Sequence, residues 1–323
     1  MKKHYSFLKI MTGSDLAKRR IPTMDMDSEK PGPLVWFTGC MHGDEIGGTV
    51  IIHELFKKLQ KRLIRGRVMA FPLMNPFGFE TSTRNIISEE DLNRSFPGNE
   101  KGTLAERIAA IIFREILNSK PSMVVDLHND WNKSIPYALL DPASYKSVDH
   151  KVEKLAQMTG LLQIVDTEKI HSSLTFNLIQ EGIPALVLEM GESMTINEKN
   201  IEIGLQALWN ILRNQEMVDD EGPLYQYPLP EEVQDKTLIY SCLPLSSTSG
   251  IIRFVRKPGE MVVKGQKIAS VFNAFGKKIE TISALQDGIV IGYSDSALSF
   301  PGSAVMAYGN LPQVKSEMNK SRV

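Results

Sequence analysis

The sequence has few cysteines, no long apolar run and no excess of charge of either sign. Its 323 residues include two cysteines, Cys40 and Cys242, which are too few for a disulfide scaffold or a cysteine-rich zinc site. No apolar run approaches the roughly 20 residues of a membrane-spanning helix, and the basic start MKKHYSFLKI lacks the apolar core of a signal peptide. We therefore expect a cytoplasmic protein that does not bind membranes.

The charge balance argues against a nucleic-acid partner. Lys and Arg number 37 and Asp and Glu 38, a net charge of −1, whereas nucleic-acid-binding proteins normally carry a strong basic excess. Apolar residues make up 42% and charged residues 23%, which is typical of a chain with a packed core. At roughly 150 residues per domain, the length predicts about two domains.

Short apolar runs alternate with helical patterns in the first two thirds of the chain. The predicted strands are 34–40, 67–73, 122–127, 137–141 and 185–190. The predicted helices are 51–59, 103–117, one ending near 160, 173–181 and 197–215. Thr103 and Glu106 have the spacing of a capping box at the second helix. This alternation predicts the α/β class, with a mixed, mainly parallel sheet flanked by helices.

The pattern changes after about residue 215. Residues 215–235 contain seven acids, three prolines and no base, which indicates a linker. From 237 onward, short β-type runs are separated by glycine turns, which predicts a small all-β module. The sequence thus divides into a catalytic α/β part (1–214), an acidic linker (215–236) and a β module (237–323).

Two histidines and a glutamate lie where predicted strands end. His42 and Glu45 follow the first strand, and His128 follows the run MVVDL. Side chains beyond the carboxyl ends of strands in an open α/β sheet form its sites, and two His with one Glu are the ligands of many catalytic zinc centres. The alternatives are an exposed loop pair for His42 and Glu45, and a core histidine for His128. Cys40 is expected to be a small core residue.

Glu189 ends a third apolar strand and is followed by a glycine. A zinc-bound water needs a carboxylate that accepts its proton and delivers it to the leaving amine, and Glu189 is placed for that role. Glu192 is the nearby alternative. Asp126 fits a supporting carboxylate better than a ligand.

The long polar stretch 75–98 contains Arg84, Asn93 and Arg94. Long ordered loops are usually functional, and arginine beside asparagine suits the recognition of a substrate carboxylate. A separate arginine can also polarise a carbonyl and hold its oxyanion. The alternative is a loop that surface salt bridges hold in place.

Five motifs together resemble the succinylglutamate desuccinylase/aspartoacylase family, which has a zinc carboxypeptidase-like fold. They are GCMHGDEIGG, Thr83-Arg84, DLNRSFPG, VVDLHN and GIPALVLEMGE, in the family's order across roughly 33–215. The resemblance implies one Zn²⁺ per chain on His42, Glu45 and His128, with Glu189 as general base and acid. It also implies that Arg84 polarises the amide carbonyl and that Asn93 and Arg94 hold the substrate carboxylate.

The C-terminal module resembles the barrel-sandwich domains of lipoyl and biotinyl carriers. The similarity lies in Gly259, Val262, Gly265 and Ile268, and in the later pair Asp287-Gly288. A carrier presents its modified lysine within Met-Lys-Met, but this chain has FNAFGKK at 272–278 instead. We therefore expect no lipoyl or biotin attachment.

The leading hypothesis is a zinc-dependent deacylase that cleaves the amide of a small N-acyl amino acid or related N-acylated amine. Two alternatives are a metallocarboxypeptidase that acts on a peptide C-terminus, and a non-catalytic binding protein that uses the β module. Asp130-Trp131 stands where aspartoacylases often have threonines, so the acyl group and the amine side chain are left open. Homo-oligomerisation is left open as well.

Overall fold

A computed structural model describes residues 1–13, 16–142, 146–293 and 298–312. Its helices are α1 (Gly47–Leu59), α2 (Pro76–Thr81), α3 (Leu104–Ser119), α4 (Lys146–Thr159), α5 (Leu174–Gln180) and α6 (Glu198–Asn214). Its strands up to the end of α6 are β1 (Lys2–Thr12), β2 (Lys18–Asp27), β3 (Leu34–Gly39), β4 (Arg67–Phe71), β5 (Met123–His128), β6 (Lys133–Ser134), β7 (Tyr137–Leu140), β8 (Leu162–Val165) and β9 (Ala185–Glu189). The later strands are β10 (Thr237–Ser241), β11 (Gly250–Phe254), β12 (Met261–Val262), β13 (Lys267–Phe272), β14 (Lys278–Ser283), β15 (Gly288–Tyr293), β16 (Leu298–Ser299) and β17 (Met306–Asn310). None of the described helices is long and apolar enough to cross a membrane.

The main sheet is mixed, as the alternation of strands and helices predicts. β4, β3, β5 and β9 are neighbours in this order and all run parallel. β7 is antiparallel to β9, whereas β8 and β10 continue in parallel beyond β7. Every residue of β5 is buried, which fits a strand that other elements cover on both faces. The α/β class and a mixed sheet are confirmed. Parallel pairing predominates only from β4 to β10, because the N-terminal hairpin and the strands β17, β15 and β12 pair antiparallel, so the sheet as a whole is not mainly parallel.

The helices are placed by their apolar faces and their caps. α1 packs against β3 and against α6. At the start of α3, the Thr103 hydroxyl accepts from the Glu106 amide, and the Glu106 carboxylate accepts from the Thr103 amide at 2.8 Å. The predicted capping box is therefore confirmed, and α3 begins at the predicted position.

A long N-terminal hairpin extends the sheet, and the sequence patterns did not predict it. β1 pairs with β2 over the whole length of both strands, and β2 joins the sheet through β4. β1 is exposed at most positions, so it lacks the continuous apolar run that marks a buried strand.

The strands after 237 divide between two sheets. β10 pairs with β8 and β17, and β17, β15 and β12 then continue the main sheet. β14, β13, β11 and β16 form a separate four-stranded sheet. Strands that are far apart in sequence therefore stand side by side, which brings the C-terminal part close to the end of β9.

The acidic segment 215–236 lies along the α/β part. Met217 and Val218 are buried, and Val218 bridges Leu63. The Asn210 side chain in α6 both donates to and accepts from the backbone of Tyr225. The division at 214 and 236 stays a prediction.

Candidate active site

The turn after β3 and the end of β5 bring His42, Glu45 and His128 together. β3 and β5 are adjacent parallel strands, so the residues that follow them meet at one edge of the sheet. One ligand atom from each of the three side chains can be chosen so that all lie within 4.8 Å of one another. All three side chains are buried, so the surface-loop alternative for His42 and Glu45 does not describe this site.

Glu45 lies between the two imidazoles. Its Oε1 is 2.7 Å from His42 Nδ1, and its Oε2 is 2.8 Å from His128 Nδ1. Burial alone would raise the pKa of Glu45, but the two histidines outweigh burial and hold its pKa well below the ordinary value. Two nitrogens and a carboxylate that converge in this way fit the donor set of a catalytic zinc site.

The outward ring nitrogens are held by two further carboxylates. His128 Nε2 is 2.9 Å from Asp126, and Asp126 also accepts the Thr38 hydroxyl at 2.6 Å. His42 Nε2 is 3.2 Å from Asp91. Such contacts fix the orientation of a histidine ring, which is the supporting position expected for Asp126.

Asp91 is a site residue that the sequence patterns did not identify. Its Oδ2 accepts from Arg84 Nη2 at 3.0 Å and from Nε at 3.1 Å. Arg84 Nη1 also reaches Glu45 Oε1 at 3.3 Å. Although burial would raise the pKa of Asp91, His42 and Arg84 hold it well below the ordinary value. The salt bridge between Asp91 and Arg84 thus holds the loop 75–98 in place and also brings Arg84 close to the cluster of His42, Glu45 and His128.

Asn93 and Arg94 lie in a 3₁₀ turn at Leu92–Arg94, which the Asp91 side chain caps. Asn93 is buried, and its Oδ1 accepts from the Leu174 amide at 2.9 Å. Arg94 Nη1 donates to the Asn93 carbonyl, while 44% of the Arg94 side chain is exposed. The turn therefore presents a partly free guanidinium beside the centre.

Glu189 is the last residue of β9 and pairs in register with His128 on β5. Its Oε2 is buried, and no group in the described part of the chain hydrogen-bonds to it. Burial raises the pKa of Glu189 well above its ordinary value, and the Asp130 carboxylate raises it further. Glu192, the alternative, instead accepts from Asn197 and Asn200 near the start of α6.

Cys40 is fully buried, as predicted for a core residue. Burial, with the nearby Glu45 carboxylate, raises the pKa of its thiol to about 12. The thiol donates to the His42 carbonyl and is not part of the cluster of His42, Glu45 and His128.

A cavity of about 1040 Å³ adjoins Glu189. Its walls come from β7, the segment after β8, and β10. Asp130 lines it and accepts the Tyr137 hydroxyl at 2.6 Å. Sequence patterns did not identify these walls, because they depend on strand pairing between distant segments.

Comparison with known proteins gives matches across most of the chain. The model of the succinylglutamate desuccinylase/aspartoacylase catalytic domain matches residues 31–214. An N-alpha-acetyl-L-2,4-diaminobutyric acid deacetylase of Halomonas elongata is 26% identical over 288 residues, which are 85% of this chain and 80% of the relative.

Solved structures share the fold. A succinylglutamate desuccinylase/aspartoacylase from Rhodobacter sphaeroides has a TM-score of 0.81 at 20% identity, with 96% of both chains covered. A metallo-carboxypeptidase from Burkholderia cenocepacia has a TM-score of 0.52 at 18% identity, with 66% of this chain and 65% of that one covered. The family match covers more than half of the chain, and this chain therefore belongs to the succinylglutamate desuccinylase/aspartoacylase family.

Proposed function

We propose that this protein is a zinc-dependent deacylase that cleaves the amide bond of a small N-acyl amino acid or a related N-acylated amine. The observation that carries the proposal is the convergence of His42, Glu45 and His128 beside Glu189, whose Oε2 is buried and has no hydrogen-bond partner among the described residues. Family membership and the deacetylase relative support the reaction class.

His42, Glu45 and His128 would hold one Zn²⁺ per chain, because their nitrogen and carboxylate atoms form the donor set of a catalytic zinc site. When bound, zinc supplies Lewis-acid chemistry that makes a water molecule more acidic and polarises an amide carbonyl. Asp91 and Asp126 hold the two rings in place for that role.

Glu189 moves the proton. Its carboxylate takes a proton from the attacking water as the new C–O bond forms at the amide carbon. It then gives that proton to the leaving nitrogen as the C–N bond breaks. The raised pKa of Glu189 suits this exchange, because a carboxylate whose pKa lies above the ordinary value takes up a proton more readily and can hold it until the nitrogen leaves.

Arg84, Asn93 and Arg94 orient the substrate in this proposal. Arg84 donates to the carbonyl oxygen, which gains negative charge in the transition state. Arg94, with Asn93 beside it, binds the carboxylate of the amino acid, for which a guanidinium offers matched donors. Asp91 keeps Arg84 and the 3₁₀ turn in one arrangement, so carbonyl and carboxylate are bound at a set spacing.

We also infer that residues 237–323 form a module of the barrel-sandwich type. A separate apolar cluster supports this, since Ile252, Ile268 and Val290 pack together within it. Limited proteolysis between 215 and 236, followed by analysis of the two fragments, tests the division. Two fragments that separate only on denaturation would agree with the contact between β8 and β10.

The deacylase proposal is tested with zinc-loaded protein and a panel of N-acetyl and N-succinyl amino acids, beside short peptides with free C-termini. The panel includes Nα-acetyl-L-2,4-diaminobutyrate, which is named by the relative's activity. Turnover of an N-acyl amino acid that is lost when zinc is removed would support the proposal. Turnover of peptides alone would indicate a carboxypeptidase instead, and a protein that binds no metal would overturn the proposal.

A further inference from the structure

The loop that follows His128 joins the candidate active site to the C-terminal part of the chain. It runs from Asn129 to β6, and β6 pairs antiparallel with β15. The Ile135 amide also donates to the Ile291 carbonyl at 2.9 Å. The loop is therefore held by the candidate site at its start and by a strand that is distant in sequence at its end.

Trp131 lies within this loop and has a backbone conformation that is unusual for its residue type. Its φ of +59° falls in the left-handed region, which a residue other than glycine adopts only where surrounding contacts enforce it. The side chain packs against an apolar cluster that includes Ile289 and Ile291 of β15. β15 thus supplies contacts that hold Trp131 in this conformation.

Gly292 of β15 leaves the space that the Trp131 side chain occupies. It pairs with Ser134 of β6, and a Cβ atom added to Gly292 would lie 2.9 Å from Cδ1 of Trp131. The same atom would lie 3.0 Å from the Lys133 carbonyl oxygen. Carbon atoms in favourable contact are about 3.5–4.0 Å apart, so any side chain at this position would displace the indole ring or the loop.

Backbone hydrogen bonds connect the same loop to the segment that follows Glu189. The Asp130 amide donates to the Gly191 carbonyl at 3.0 Å. The Ser193 amide donates to the Trp131 carbonyl, also at 3.0 Å. A displacement of Trp131 would therefore be transmitted to the end of β9, where the proposed general base lies.

Asn129 connects the loop to the proposed metal ligand Glu45. Its amide donates to Glu45 Oε2 at 3.1 Å, and its Oδ1 accepts from the Gly47 amide at 3.1 Å. Its Nδ2 donates to the Gly191 carbonyl at 3.2 Å. Asn129 is buried, so a shift of the loop would leave these groups without water as a substitute partner.

We propose that Trp131 is a positioning residue, which rests on Gly292 and holds the loops after His128 and Glu189 in the arrangement that catalysis requires. The proposal rests on the deacylase function proposed above, because both loops belong to its candidate site. Trp131 acts through the backbone contacts of its neighbours and takes no part in the reaction itself. Its displacement should lower kcat more than it raises KM, because the linked contacts reach Glu45 and the end of β9.

Gly292→Ala tests the space beneath the indole ring. In the zinc-loaded protein it should lower kcat by about 10- to 100-fold and change KM by no more than about threefold, because a displacement of about 1 Å can cost about 100-fold in rate. Gly222→Ala is the matched control, since a Cβ atom there would lie at an ordinary 3.5 Å from Asp220 Oδ1. If Gly292→Ala lowered only the free energy of unfolding and left kcat unchanged, the contact would be merely structural and the proposal would be wrong.

Variants of Trp131 test the indole ring itself. Trp131→Ala should lower kcat about as far as Gly292→Ala, whereas Trp131→Phe should stay within about threefold of the wild type, because a phenyl ring still fills much of the space above Gly292. Gly292→Ala should also cost at least about threefold less in kcat when Trp131 is already alanine, since the two changes disrupt one contact. Equal kcat in the Phe and Ala variants, or fully additive losses, would contradict the proposal.

Hydrogen exchange separates this proposal from the deacylase function, because it needs no turnover. In Gly292→Ala, the amides of 129–134 and of 191–194 should exchange about tenfold or more faster than in the wild type and in Gly222→Ala, since the contacts that protect them are shared. Faster exchange in both segments of a protein that cleaves no amide would support the linkage and reject the deacylase function. Unchanged exchange in an active deacylase would reject the linkage alone.

Discussion

The candidate metal centre of His42, Glu45 and His128 lies beside the cavity that Glu189 lines, and the two differ in how far their side chains contact one another. At the centre, all four ring nitrogens of His42 and His128 face carboxylate oxygens of Glu45, Asp91 and Asp126. In the cavity, Asp130 accepts the Tyr137 hydroxyl and Asp166 accepts the Glu168 amide, whereas Glu189 has a buried oxygen with no partner in the described chain. The centre is therefore held in place by its own contacts, while the cavity leaves open volume and one buried carboxyl oxygen for a ligand to fill.

The difference separates two kinds of contribution to catalysis. A centre whose side chains are already oriented loses little free energy to reorganisation when it binds a metal. An open cavity contributes only when a group that fits its lining enters, so the lining determines which substrate is chosen. Changes at the centre should then affect all substrates, whereas changes in the cavity should affect some.

The largest effect is expected from His128→Ala. The variant loses one of the three proposed metal ligands and leaves Glu45 and Asp126 facing a void, so zinc should fall from about one per chain to nearly none, and turnover of every substrate should be lost. Metal analysis of purified protein measures this. His150→Ala is the control, because the His150 side chain is 86% exposed. A variant that retained zinc would remove His128 from the ligand set.

Glu189→Gln should separate catalysis from metal binding. It keeps the size of the side chain but removes the proton acceptor, so kcat should fall by about 10²- to 10⁴-fold. Zinc content should stay at the wild-type level, because Glu189 is not one of the three clustered side chains proposed to bind zinc. Activity assays and metal analysis on the same preparation give both readouts, and near-normal kcat would reject Glu189 as the general base.

Site residues that directly follow a strand can be predicted from the sequence, because the end of an apolar run marks the end of a buried strand. The end of VVDLH places His128, and the end of ALVLE places Glu189, without any knowledge of the rest of the fold. The capping box at Thr103 is equally local. These predictions depend on neighbours within a few residues, and backbone geometry then determines where the side chains lie.

The other parts depend on contacts between distant segments. Asp91 reaches His42 across 49 positions, through a loop whose path no periodicity encodes. The cavity depends on the pairing of β8 with β10, which lie on either side of the segment 215–236. β1 has mostly exposed residues, so it lacks the apolar signal that predicts buried strands. Nonlocal pairing therefore assembles both the candidate centre, through β3 and β5, and the cavity, through β8 and β10.

Asp91→Asn should show an intermediate effect. The amide keeps the shape of the side chain but weakens the charge-assisted contact with Arg84 and the contact with His42. We expect kcat/KM to fall by about 10- to 100-fold for all N-acyl amino acids alike, as for other residues that orient a metal ligand. Kinetics with a cationic and a neutral substrate check this, and a change confined to one of them would place Asp91 with the cavity instead.

The smallest effects are expected from the loss of two threonine hydroxyls. The Thr38 hydroxyl contacts a carboxylate of the candidate centre, whereas the Thr103 hydroxyl caps a helix. Thr38→Val removes the 2.6 Å hydrogen bond to Asp126, and it should lower the free energy of unfolding by about 1–3 kcal/mol because a buried acceptor loses its partner. Thr103→Ala removes the cap of α3 and should cost about 1 kcal/mol. Denaturant unfolding measures both losses, and zinc titration separates them. Zinc affinity should weaken in Thr38→Val alone, because only Thr38 supports the carboxylate that orients His128. Equal zinc affinity in the two variants would mean that Asp126 orients the His128 ring without help from Thr38. The contacts that support the candidate centre would then extend no further than Asp126.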